Sequence, residues 1–119
     1  MFEYYWLRDY ITLSSEEQIK NDLIKRTTIF NCLGAQGWEL FPISEEKQHF
    51  CFRRNRHLNK QYEYTWIRDF ISPINEEQMK RDLAKRTELF NTLALQGWNL
   101  VGEDLSMFCF IREINELEP

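Results

Sequence analysis

This chain writes one stretch of about sixty residues twice. Phe2-Glu3-Tyr4-Tyr5-Trp6-Leu7-Arg8-Asp9-Tyr10-Ile11 returns as Tyr62-Glu63-Tyr64-Thr65-Trp66-Ile67-Arg68-Asp69-Phe70-Ile71, identical or similar at every position except Tyr5/Thr65. The match runs on through Glu16-Glu17-Gln18 and Glu76-Glu77-Gln78, Lys25-Arg26-Thr27 and Lys85-Arg86-Thr87, and Gln36-Gly37-Trp38 and Gln96-Gly97-Trp98. Near the end the offset shortens by two, Phe50-Cys51-Phe52 matching Phe108-Cys109-Phe110, as a shorter hairpin turn would produce. A unit this small buries only about 60% of its unfolded surface and is marginal alone. Two such units in 119 residues therefore favour one fused body. The repetition predicts a first unit over 1–57, a linker over 58–61, a second unit over 62–114 and a polar, fraying tail over 115–119.

Each unit opens on a period-two alternation rich in aromatic and β-branched residues, which predicts a strand. A helix follows. Ser15 and Asn75 are placed to cap it, with Gln18 and Gln78 three positions on in the capping-box arrangement. Glu16-Glu17 and Glu76-Glu77 suit the first turn, where the helix dipole favours negative charge. Ile19, Leu23, Phe30 and Leu33, like Met79, Leu83, Phe90 and Leu93, fall on one helical face. Glu16–Lys20, Asp22–Arg26, Glu77–Arg81 and Asp82–Arg86 are spaced for i,i+4 ion pairs. Gly37 and Gly97 supply the left-handed residue that ends a helix. Two further strands follow each time, Trp38 to Phe41 and His49 to Arg54, then Trp98 to Val101 and Met107 to Arg112. The fold class expected is α+β: two βαββ units about a pseudo-twofold, with antiparallel strands in one continuous sheet or two facing ones.

Phe2, Tyr4 and Trp6 share one face of the first strand, as do Tyr62, Tyr64 and Trp66, and the unit's own helix is expected to cover that aromatic face. The opposite face is assigned Leu7, Phe41 and Cys51 in one unit and Ile67, Val101, Cys109 and Ile111 in the other. That much hydrocarbon calls for a partner. An association face of Leu7, Phe41, Ile67, Val101 and Ile111 is therefore expected.

Composition excludes several classes. An apolar fraction of 43% is ample for a core, and a net charge of -4 opposes non-specific binding to nucleic acid or anionic membrane. No apolar run approaches the roughly 20 residues that span a bilayer. The start, Met1-Phe2-Glu3-Tyr4, lacks signal-peptide character. Cys32, Cys51 and Cys109 include no Cys-x-x-Cys pair, and His49 and His57 follow no zinc spacing, so no metal site is expected and reduced, buried thiols are. The location expected is the cytoplasm.

Tyr62-Glu63-Tyr64, Leu93 through Gln96-Gly97-Trp98-Asn99-Leu100, and Phe52-Arg53-Arg54, with Glu3-Tyr4 and Leu33 through Gly37-Trp38-Glu39-Leu40 in the first half, resemble the small bacterial and phage DUF4177 family. The resemblance covers both halves and implies a fold without an activity. This chain departs from the family in being doubled and in carrying Trp-x-Arg-Asp in each first strand. The element order is also similar to that of dodecins, small flavin-storing proteins, at the level of fold alone.

Trp-x-Arg-Asp is the sharpest constellation: Trp6, Arg8 and Asp9, repeated as Trp66, Arg68 and Asp69. A guanidinium beside an indole can hold an anionic or aromatic ligand, or a partner, by fork and stacking. The bland alternative is an arginine closing the aromatic core. Trp38 and Trp98 could stack on a flavin or nucleotide, or anchor helix to sheet. Arg53-Arg54-Asn55-Arg56-His57 could meet phosphates, or be a solvated linker. Serines and threonines lack a matching histidine in both halves, Glu16-Glu17 sits in a solvated turn, and the four glycines are dispersed. No catalytic residue and no cofactor are expected. The function expected is a non-catalytic binding or adaptor protein, self-associating as a homodimer or regulating a larger protein. A nucleotide- or flavin-like small-molecule binder is the alternative.

Overall fold

A computed structural model describes residues 1–42 and 46–114. The predicted tail, 115–119, lies outside the described residues. The elements run β1 (Phe2–Arg8), α1 (Glu16–Ala35), β2 (Glu39–Phe41), β3 (His49–Asn55), β4 (Gln61–Arg68), α2 (Glu76–Leu95), β5 (Asn99–Asp104) and β6 (Met107–Ile114). Their order is α+β, βαββ twice. The strands form two separate three-stranded antiparallel sheets, β1-β3-β2 and β4-β6-β5, rather than one continuous sheet.

Local chemistry sets both helices in the same way. Ser15 Oγ and Asn75 Oδ1 accept from the Gln18 and Gln78 backbone N–H groups. The reciprocal half of the capping box is not made, because Gln18 and Gln78 donate instead to Asp22 and Asp82. Those aspartates also accept from the Thr12 and Ser72 N–H groups, which ties the incoming loop to the helix. Gly37 and Gly97 end the helices at φ near +90°, and the bonds Gly37 N–H to Gly34 O and Trp38 N–H to Leu33 O form a Schellman motif, repeated at Gly97 and Trp98. Of the four predicted i,i+4 ion pairs only Glu77–Arg81 forms. Three of the other charges have tertiary partners instead: Glu16 meets Arg68, Arg26 meets Asp9 and Asp104, and Arg86 meets Asp69.

The helices do not sit where the aromatic strips predict. Register pairs Leu7 with Phe50 and Tyr5 with Phe52, so these residues share the helix side of the first sheet. Tyr4 and Trp6 pair with Arg53 and Cys51 on the other side. The same parity places Ile67 with Phe108 beneath α2, and Tyr64 and Trp66 with Ile111 and Cys109 on the far side. Each unit thus has an inner layer under its own helix and an outer layer carrying Trp-x-Arg.

One core results, made from unlike layers. Ile19, Leu23, Phe30, Trp38, Leu40, Phe50 and Phe52 from the inner layer of the first unit pack on Tyr64, Trp66, Met107 and Cys109 from the outer layer of the second. Phe30 stands at the joint, meeting the rings of Phe50, Phe52, Tyr64 and Trp66 edge-on with centroids 5.0–5.4 Å apart. A twofold would present the same surface from each unit. Here the surfaces differ, so the predicted pseudo-twofold gives way to a head-to-tail joint. The inner layer of the second unit stays outside this core. Phe90 meets Phe108 and Phe110, yet no residue of α2 is fully buried, and Leu83, predicted for the core, is exposed.

Helix α1 also lies along the free edge of β4. Asn31 Oδ1 accepts the Tyr64 N–H at 2.6 Å, satisfying an edge donor that would otherwise invite another strand. The approach is close because residue 34 is glycine: a β-carbon there would drive into the Tyr62 backbone carbonyl. Tyr64 secures the far end, its hydroxyl accepting from Leu40 N–H and donating to Trp38 O, both at 2.8 Å. Burial pushes that phenol far above the usual tyrosine range, so it stays protonated and able to donate.

Candidate functional site

The two copies of Trp-x-Arg-Asp have the same local geometry and opposite surroundings. In the second unit the motif is part of the joint. Trp66 is buried over the Arg26 guanidinium, 4.7 Å from the ring centre. Arg68 makes a two-point pair with Glu16, Nη2 to Oε1 at 2.8 Å and Nε to Oε2 at 3.0 Å. In the first unit no described residue buries the equivalent strip, although the Tyr4 ring leans on Phe41 with centroids 6.5 Å apart. Tyr4 and Trp6 are 57% and 56% exposed, against 2% and 6% for Tyr64 and Trp66. Arg8 leans over Tyr10, at 5.8 Å, and has no carboxylate partner among the described residues. Phe2 completes an exposed aromatic strip along the outer side of β1. Two solvent-facing rings of this size, next to an arginine, form an exposed aromatic surface of the kind found at contact sites.

Asp9 and Asp69 do not join these sites, since each turns inward at the end of its strand. Asp9 accepts from Arg26 Nε at 2.7 Å, and its backbone oxygen accepts from Arg26 Nη2. Asp69 and Arg86 repeat both bonds. Arg26 then gives a third bond, Nη1 to Asp104 Oδ2 at 2.9 Å, joining units across 78 positions of sequence. The equivalent nitrogen of Arg86 has no partner among the described residues. Sequence spacing paired Arg26 with Asp22. A better signal was its place in the buried row Ile19, Leu23, Arg26, Phe30, where a charge needs partners from elsewhere.

The expected association face does not exist as one surface. Leu7 and Ile67 lie on the inner layers, packed toward the helices, while Phe41 and Ile111 lie on the outer ones. Phe41 sits under Arg53, which also covers Phe2. Val101 and Ile111 are partly buried against the core. The error was one of parity: Phe41 pairs with Cys51, whose side chain is on the opposite side to Leu7.

Other candidates are occupied internally. Arg54 and Arg112 stack on Trp38 and Trp98, each 4.3 Å from the ring centre, and donate to the last turns of the helices at Gln36 and Gln96. Those tryptophans therefore fasten helix to sheet. The basic run is neutralised locally, with Arg53 on Glu39 and both Arg54 and Arg56 on Glu3. The two guanidinium bonds hold the Glu3 carboxyl below the usual carboxylate range. Cys51 and Cys109 are buried, and burial raises both thiols; Cys32, expected to be buried, is exposed. Among the described residues no cluster of three metal-ligating side chains occurs, and no helix is long and apolar enough to cross a membrane.

No family model matches the chain, and no curated protein or solved structure shows significant similarity to it.

Proposed function

We propose that this protein is a non-catalytic binding module, a duplicated unit of DUF4177 type, that works through the outer strip of β1. One observation carries this: Tyr4 and Trp6 face water where their counterparts Tyr64 and Trp66 form the heart of a protein–protein-like joint. A strip that keeps the residues of a contact surface, yet stays exposed among the described residues, is a contact surface for something else. Support for a non-catalytic role comes from where the charged groups go. Asp9, Asp69, Asp104, Glu3 and Glu16 are all held in structural pairs with arginine. The unpaired cysteines fit a reducing compartment such as the cytoplasm. A small-ligand role has less support, because Trp66 and Arg68 are engaged and only Trp6 and Arg8 are open to solvent.

Hydroxyl-radical footprinting tests the proposal. In dilute purified protein Tyr4 and Trp6 should label strongly and Tyr64 and Trp66 weakly. At the same dilution in extract of the native cell, labelling of Tyr4 and Trp6 should fall several-fold while that of exposed Tyr10 stays the same. Undiminished labelling of both in extract would count against a binding role for this strip.

A further inference from the structure

The joint inside the chain describes its own missing halves. It needs a donor, the outer strip and free edge of a first strand, and an acceptor, the flank of a helix with the inner layer beneath it. The donor of the second unit fills the acceptor of the first. That leaves one donor open on β1 and one acceptor open on α2.

We infer that a second copy of this chain fills them, β1 of one copy seating along α2 of the next. This rests on the binding-surface reading above and names its partner. The polar and aromatic pairs of the joint have counterparts in the open halves. Asn31, which takes the Tyr64 N–H, corresponds to Asn91, which is exposed and makes no hydrogen bond among the described residues. Arg68 and Glu16 form the two-point pair; Arg8 and Glu76, their counterparts, are both unpaired among the described residues and of opposite charge. Tyr64 bridges Leu40 N–H and Trp38 O; Tyr4 is free to bridge Leu100 and Trp98 of the next copy, where Leu100 lies exposed. Arg26 lies between Phe50 and Trp66, 4.9 and 4.7 Å from the rings. Arg86 lies over Phe108 at 4.8 Å, partly exposed and with no second ring against it among the described residues, which leaves a seat for Trp6.

Three positions differ: His49 stands where Met107 joins the core, Met79 stands where Ile19 does, and the third sets the strength of the contact. Gly34, where α1 touches the Tyr62 carbonyl, corresponds to Ala94. In the joint between α1 and β4 a β-carbon at this place would stand 2.1 Å from the strand carbonyl, so an incoming β1 must seat about 1 Å further out and binds more weakly than β4 binds α1. The joint is heterologous, with a free half at each end of any open assembly, so copies add until a ring closes or the chain of copies runs on.

Sedimentation of the full-length protein over a wide concentration range tests this. The wild type should rise from one chain mass to multiples of it. Trp6→Ser removes the donor and Asn91→Arg blocks the acceptor; both positions are exposed, and unchanged thermal melts will verify folding. Each variant alone should lose the joint, while an equimolar mixture of the two should form a complex of twice the chain mass through the one intact donor and one intact acceptor. Ala94→Gly should move association to roughly tenfold lower concentration by relieving the methyl contact. A wild type that stays a single chain at the highest attainable concentration overturns the second-copy inference. So does association indifferent to both blocking variants. Protection of Trp6 in cell extract by a protein that never self-associates would leave the binding surface standing with a different partner.

Discussion

Replacing Arg26 with alanine is expected to lower the unfolding free energy by about 3–5 kcal/mol, the cost of leaving a buried carboxylate without its counter-charge. Asp104 is only 1% exposed, and Arg26 is its one partner among the described residues, its other oxygen, Oδ1, being buried without a hydrogen bond to any of them. The same substitution at Arg86 meets a partly exposed pair with Asp69 alone and should cost no more than about 1 kcal/mol. The contrast matters because the two arginines hold the same place in their units and differ only in what the joint adds. Chemical denaturation of R26A and R86A reads it directly, and equal losses would mean that Asp104 does not depend on Arg26. A double variant, Arg26→Met with Asp104→Leu, should recover most of the stability, since removing both charges leaves neither stranded.

Phe30→Ala is the second large effect. The ring contacts four aromatic neighbours, two from each unit, and is fully buried. Truncation opens a cavity between units that no single element can move to fill, with an expected loss of about 3–5 kcal/mol. Phe90 has two ring neighbours, both within its own unit, and stands beside an open flank. There the lost contacts are fewer and water can enter the space, so Phe90→Ala should cost about 2 kcal/mol less. Matched losses at the two positions would show that the joint contributes little.

Much of each unit was legible because its signals are local. Ser15 and Asn75 cap their helices, Gly37 and Gly97 end them, and the Ile19, Leu23, Phe30 row is buried, all from spacing along a few turns. What was not legible is which side of a strand a helix takes. Alternation groups Phe2, Tyr4 and Trp6 on one side, but period two cannot say whether that side meets the unit's own helix or another's. The same gap misplaced Phe41, because its parity against Leu7 depends on how three strands register through a long hairpin and a helix. Arg26 was read as an i,i+4 partner of Asp22, whereas its partners come from the end of β1 and from β5 of the other unit. Gly34 carries the clearest overlooked hint. The two helices match closely, and the one glycine in the first sits where a strand comes too near for any side chain.

The most direct test compares hydrogen exchange at two amides, Tyr4 and Tyr64, which hold equivalent places on β1 and β4. Tyr64 N–H is bonded to Asn31 behind α1 and should exchange only as fast as the core opens. Tyr4 N–H lies on the uncovered edge and should exchange orders of magnitude faster in dilute solution, then slow as concentration rises and α2 of another copy covers it. Equal rates at the two amides, unchanged by concentration, would contradict both the head-to-tail joint and the open halves it leaves at the ends of the molecule.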